Sequence, residues 1–235
     1  MSQWSKQIIW SILPVALAVC TVGFPQSKPI QTAGDPYPLD KCMVSGEKLG
    51  DQGEPIIFEH EGREIRFCSK SCLPKFKSEP KKYLTEIDKE IARQQQPLYP
   101  VNRCFVSNEP FGGDMGEPIP YVYKNRLVLF CCKGCKGDFK KDPETYLKKL
   151  DEAVVAKQKK RYPFKECVVS GKKLGSMGEP VDYVMANRLF RFCSDGCIKK
   201  VKANPPKYLA VLEAADPRQK SKKAPETRSH KGHDH

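Results

Sequence analysis

Apolar and polar positions alternate over two short stretches, Ile56 to Phe58 and Glu64 to Phe67, and the period then changes. The first pattern is that of two half-buried strands. The Glu61-Gly62 pair between them supplies a residue that tolerates the positive φ of a tight hairpin turn. From Cys68 onward the spacing is helical: Phe76 lies four residues beyond Cys72, Pro80 interrupts, and Tyr83, Leu84, Ile87 and Ile91 fall on one side of a second helix. The succession returns twice. Lys124-Asn125 and Ala186-Asn187 hold the turn position, Phe139 and Val201 the first helix's core position, and Pro143 and Pro205 the break. Tyr146, Leu147, Leu150 and Val154 repeat the second stripe. These stripes read as packing faces. The charged runs from Glu86 to Gln96 and from Asp151 to Arg161 read as linkers that carry the second helix into solvent.

A denser repeat underlies this pattern. Tyr-Pro occurs at Tyr37, Tyr99 and Tyr162, and Cys-x-Val-Ser follows at Cys42, Cys104 and Cys167. Gly-Glu-Pro comes next at Gly53, Gly116 and Gly178. An aromatic-Cys-x3-Cys string ends each hairpin: Phe67-Cys68 to Cys72, Phe130-Cys131 to Cys135, and Phe192-Cys193 to Cys197. Pro-x2-Tyr-Leu closes the unit at Pro80, Pro143 and Pro205. The first cysteines stand 62 and 63 residues apart, a length that suits beads able to fold alone rather than a solenoid. The expected organisation is a leader and linker over 1–36, units over 37–96, 97–160 and 161–215, and a tail over 216–235.

Units of about 60 residues bury too little apolar surface to be secure without a staple. An odd count of cysteines cannot pair within one unit, whereas three thiolates supply a whole trigonal metal site or all but one ligand of a tetrahedral one. Metal ligation is therefore the favoured reading, against a disulfide framework or a Cys-x3-Cys redox pair beside a buried third thiol. With the helix starting at the Cys-x3-Cys, its two cysteines share one face near the positive end of the helix, where thiolate is favoured over thiol. A knuckle at Cys42 folding back onto that pair closes the cluster. Two singletons stand apart. His60 reads as a solvated or packing residue rather than a ligand, since Tyr123 and Met185 stand nearby in the other units. Cys132 reads as a serine-like position pointing off the 131/135 face, because Ser69 and Ser194 align with it.

The string Phe-Cys-Ser-x2-Cys-x3-Phe-x3-Pro-x2-Tyr-Leu at Phe67 to Leu84, preceded by Cys-x-Val-Ser-Gly at Cys42 to Gly46, resembles the YHS domain and the related TRASH domain of heavy-metal trafficking, resistance and sensing. The resemblance covers about 48 residues in each unit, with a longer first gap than is usual for TRASH domains and Val201 where the family prefers Phe. It implies Cys42, Cys68 and Cys72 as the first unit's metal ligands. In the second they are Cys104, Cys131 and Cys135, and in the third Cys167, Cys193 and Cys197. An all-thiolate shell selects Zn(II), Cu(I) and other soft ions over Mg, Ca or Mn. The expected fold is thus a tandem of three small α+β metal-stapled modules, each a cysteine knuckle and β-hairpin followed by short helices.

The chain carries 41 Lys+Arg against 28 Asp+Glu, a net charge of +13, over 235 residues. Its lysines are interleaved with acids and no aromatic-basic stripe appears, so the charge reads as a solubilising surface and nucleic acid is not an expected partner. The uncharged run from Ile8 to Phe24 behind Lys6 reads as an export signal or membrane anchor, and Leu17-Ala18-Val19-Cys20 resembles a lipid-attachment site at Cys20. Periplasm or cell envelope is the expected place. The tail's His230, His233 and His235 form an accessory metal-binding candidate. Phosphate-loop, nucleophile-elbow and His-Glu-x2-His strings are missing, so no enzyme is expected. The expected function is a carrier, sensor or sink for zinc or Cu(I), passing it to a protein partner or transporter; the rival is a structural-zinc scaffold that binds proteins through its hairpins.

Overall fold

The computed structural model describes residues 34–113 and 116–216. The leader with its Ile8 to Phe24 run and Cys20, and the tail histidines His230, His233 and His235, lie outside the described residues. Among the described residues no helix is long and apolar enough to cross a membrane.

Each unit is a two-stranded antiparallel hairpin followed by two helices. The first has β1 (Ile56–His60), β2 (Arg63–Phe67), α1 (Cys72–Ser78) and α2 (Pro80–Gln95). The second has β3 (Ile119–Tyr123), β4 (Arg126–Phe130), α3 (Lys133–Lys141) and α4 (Pro143–Lys159). The third has β5 (Val181–Met185), β6 (Arg188–Phe192), α5 (Gly196–Ala203) and α6 (Pro205–Ala214). The hairpins turn at the expected dipeptides. Both turn residues take positive φ in every unit: 50° and 73° at Glu61-Gly62, 44° and 69° at Lys124-Asn125, and 51° and 56° at Ala186-Asn187. Such turns match the right-handed strand twist. The proline breaks also hold, each proline opening its second helix where its missing N–H costs nothing. Asp142 and Asn204 cap two of those helices by accepting from the backbone N–H of Thr145 and Lys207.

Inside each unit the first helix's core residue, Phe76, Phe139 or Val201, is fully buried beneath the hairpin. Phe76 packs against Phe67 at 5.5 Å and Phe139 against Phe130 at 5.4 Å between ring centroids. The smaller Val201 is accompanied by Phe190, at the strand position held by Ile65 and Val128 elsewhere, stacked 5.8 Å from Phe192. His60 lies edge-on to Phe76 at 5.4 Å, and Tyr123 occupies the corresponding place on Phe139 at 5.3 Å. Both are packing residues.

The units are not separate beads, and the charged runs are not solvent linkers. One continuous core joins units one and two and takes in Val184 and Leu189 of unit three. Helix α2 packs on β3 and β4, and α4 on β5 and β6. Ile91 and Gln95 near the end of α2, and Asp151 and Val154 in α4, are buried. Gln95 explains how a polar residue goes inside: its amide donates to Asn125 O at 2.9 Å and its carbonyl accepts from Leu127 N at 2.9 Å. Gln158 repeats the clamp one unit later, on Asn187 O and Leu189 N, both at 2.8 Å. A helix end thus grips the next unit's hairpin by satisfying backbone groups that the two-stranded sheet leaves open. The charge periodicity of a surface helix hides this contact because its key residue is a glutamine.

Arginines tie the same seams. Arg126 is buried with Asn187, Asp35 and Asp151 as acceptors, at 2.6 Å to Asn187 and 3.1 Å to Asp35. Asp35 also accepts from Ala186 N at 2.6 Å, so a residue just ahead of unit one holds the turn of unit three. Arg66 donates at 2.7 and 2.8 Å to the carbonyls of Ala203 and Lys202, the end of α5, where unpaired carbonyls favour a cation.

Candidate metal centres

Each unit begins with a tight reversal that presents its first cysteine. Cys42 N donates to Glu47 O at 2.8 Å while Gly46 N returns to Cys42 O at 2.7 Å. Cys104 with Glu109 and Asn108, and Cys167 with Lys172 and Gly171, make the same pair of bonds at 2.8 Å. The reversal needs a left-handed residue, met by Gly46 (φ 80°), Asn108 (φ 65°) and Gly171 (φ 72°), types that reach this region at low cost.

The other two cysteines come from the hairpin exit. Cys68, Cys131 and Cys193 directly follow the last strand residue, and Cys72, Cys135 and Cys197 fall at the start of the first helix. The expectation of both cysteines on one helical face is corrected here: the helix begins at Cys72, Lys133 or Gly196, so the earlier cysteine belongs to the connecting turn. That turn still brings the sulfurs together, because it winds the chain directly from strand to helix. Cys68 and Cys72 sulfurs are 3.7 Å apart, Cys131 and Cys135 3.6 Å, Cys193 and Cys197 3.9 Å, and Cys167 and Cys197 3.7 Å.

All nine sulfurs gather into three triads, each with its members within 4.8 Å of one another and every cysteine buried. Bonds of about 2.3 Å to a shared ion put sulfurs about 3.8–4.0 Å apart in tetrahedral or trigonal geometry, so the triads have the right size. All ten cysteines among the described residues are free thiols, and no disulfide framework joins them.

The polar groups around the first sulfur of each unit favour thiolate. Burial pushes the first thiol of each unit up, yet the surrounding donors outweigh it. Cys42 receives the N–H groups of Cys68, Ser45 and Val44, and Cys104 those of Ser107, Cys131 and Val106, and both lie below the ordinary thiol range. Cys167, with the Ser170 hydroxyl and the N–H groups of Cys193, Val169 and Ser170, is pulled down to about 6. Burial dominates at the later cysteines: Cys68 and Cys197 are pushed up to about 11 and Cys135 to about 12. The first sulfur of each unit is thus the one its surroundings make easiest to ionise, and a metal ion displaces the protons of the thiols it binds.

The serine of Cys-x-Val-Ser has a role that its residue type alone did not disclose. Ser45 Oγ lies 3.1 Å from Cys68 Sγ, and Ser107 and Ser170 stand 3.2 Å from Cys131 and Cys193. Each hydroxyl accepts the backbone N–H two residues on, at 3.3 to 3.4 Å, which leaves its proton to donate to sulfur. Its recurrence at one spacing in all three units was the available signal. Cys132 also departs from expectation: its sulfur faces Cys135 at 3.6 Å rather than pointing away.

Compared with known proteins, the chain matches no family model, no curated protein and no solved structure. The class that fold and site define is a small α+β protein of three hairpin-and-helix units, each with a tri-cysteine group able to hold a metal ion.

Proposed function

We propose that this chain is an exported, non-enzymatic metal-binding protein that carries, senses or stores a soft ion, Zn(II) or Cu(I), in three tri-cysteine sites. The observation that supports it most is the repeated convergence of three buried sulfurs within 4.8 Å, each cluster supplied with its own N–H and hydroxyl donors. Hard cations are poor occupants of an all-sulfur shell, whereas d¹⁰ ions suit it. The likeness of Phe67 to Leu84 and Cys42 to Gly46 to YHS and TRASH domains supports heavy-metal handling, and the Ile8 to Phe24 run supports export to the periplasm or cell envelope. Metal-bound thiolates are also the form in which cysteines best survive an oxidising compartment.

Among the described residues no fourth ligand-type side chain joins all three triads, and beside the first only the Glu47 carboxylate, 3.3 Å from Cys68 Sγ, comes close, so a triad of three sulfurs leaves a position at which a receiving protein's thiol can enter. That is what a carrier requires. The burial of every triad cysteine favours a second reading, closed zinc sites that staple a protein-binding scaffold. Competition with a strong chelator separates them: a carrier gives up at least one ion within minutes while folded, and a scaffold keeps all of its zinc and refuses Cu(I).

A further inference from the structure

We infer that the three centres are not equivalent: the second unit holds its ion through four sulfurs, those of Cys104, Cys131, Cys135 and Cys132, while the first and third offer three. This rests on the reading that the triads bind metal and adds a ligand to one of them. The residue after the earlier turn cysteine carries its γ atom to the same place in every unit. Ser69 Oγ is 3.6 Å from Cys72 Sγ, Ser194 Oγ is 4.0 Å from Cys197 Sγ, and Cys132 Sγ is 3.6 Å from Cys135 Sγ. The backbone therefore offers one further ligand position beside each triad, and only the second unit fills it with a thiol. Serine hydroxyls are poor ligands for soft ions, and thiols are among the best.

The surroundings allow the closure. Cys132 is extended at the N-cap of α3, with φ −153° and ψ 168°, and half-buried beside the triad. In the first unit the corresponding Ser69 is engaged 2.9 Å from Ser71 Oγ, whereas Gly134 and Gly196 place no side-chain atom there. Cys132 stands outside the mutually close group of Cys104, Cys131 and Cys135, so ligation turns its sulfur inward about χ1 from the 3.6 Å contact it already makes with Cys135. A four-sulfur shell closes around a tetrahedral divalent ion. The second unit becomes the retaining site and the outer two the exchanging ones, within one chain.

The test uses the full chain loaded with cadmium as the ¹¹³Cd isotope, whose NMR shift reports the number of bound sulfurs. The wild type is expected to show one resonance in the four-sulfur range and two that share a three-sulfur environment. Cys132→Ser should move the first onto the others and weaken that site by more than the ~10–100-fold that loss of an outer-sphere partner costs. Ser69→Cys provides the converse, since it should move the first unit's resonance toward the four-sulfur position without touching unit two. Three alike resonances in the wild type, unmoved by both substitutions, would overturn the inference while leaving three metal-binding units in place. A chain that takes up no cadmium at all would instead overturn the proposed function on which it stands.

Discussion

Arg63 Nε donates a 2.7 Å hydrogen bond to Asn125 Oδ1, from the start of one hairpin's second strand to the turn of the next. Arg126 repeats it on Asn187 at 2.6 Å. Both asparagines are fully buried and left-handed, so one residue type meets two demands: a turn conformation and a polar seam. Asn125 also donates to the carbonyls of Asp35 at 3.0 Å and Glu64 at 2.8 Å. The seam runs head to tail, and it makes the modules a single structure.

Asn125→Gly keeps the turn, because glycine accepts its positive φ, and removes three buried side-chain hydrogen bonds, one of them from a guanidinium whose Nη2 is already without an acceptor. A loss of about 2–4 kcal/mol is expected. Residue-resolved hydrogen exchange should show protection falling in α2 and in β3 and β4 together. Loosening confined to the turn itself would mean that the seam does not couple the units.

Removing the hydroxyl at Ser107 should weaken metal binding in the second unit without unfolding it. Ser107→Ala deletes the donor 3.2 Å from Cys131 Sγ and leaves every sulfur in place. The expected cost is ~10–100-fold in affinity, as for other outer-sphere partners of metal ligands. Competition with a chromophoric chelator measures it, and an unchanged constant would remove the serine from the site's description.

Cys167 gives the metal-free chain a pH signature. Its folded pKa, about 6, lies below the ordinary 9.0, so its ionisation stabilises the fold fully above 9.0 and progressively less as pH falls to about 6. Cys197, raised to about 11, has the opposite sign and opposes folding only above 9.0. Ultraviolet thiolate absorbance of the metal-free protein should therefore rise in a step near pH 6 that is one thiolate smaller in Cys167→Ser. A profile flat up to the ordinary thiol value of 9.0 would contradict the donor arrangement around that sulfur.

The local elements were legible in the sequence because each is fixed by short-range chemistry. Gly62, Asn125 and Asn187 mark hairpin turns, prolines at 80, 143 and 205 mark helix starts, and Cys-x3-Cys spacing marks the convergence of sulfurs. The seams were not legible. Gln95, Gln158, Arg63 and Arg126 look like surface residues in a charged helix or strand, and only the assembled hairpins show that they pair with backbone and asparagine groups across units. The true helix start is hidden for a related reason: spacing four apart suits a helical face, yet it is equally met by a strand end followed by a turn. That same helical geometry points Cys132 away from the cluster, and its true neighbour, Cys135, emerges once Cys131 leaves the helix.

The central claim is that nine of these cysteines form three ion-binding triads, and metal stoichiometry tests it most directly. The full chain, purified without chelator or histidine tag and offered Zn(II) and then Cu(I), is weighed by native mass spectrometry with thiol alkylation alongside. The expected result is three soft ions per folded chain, all nine triad cysteines protected until the metal is stripped, and one ion lost on Cys68→Ser. A folded chain that binds neither ion, with its triad cysteines alkylated to the same extent whether or not metal was offered, would contradict it.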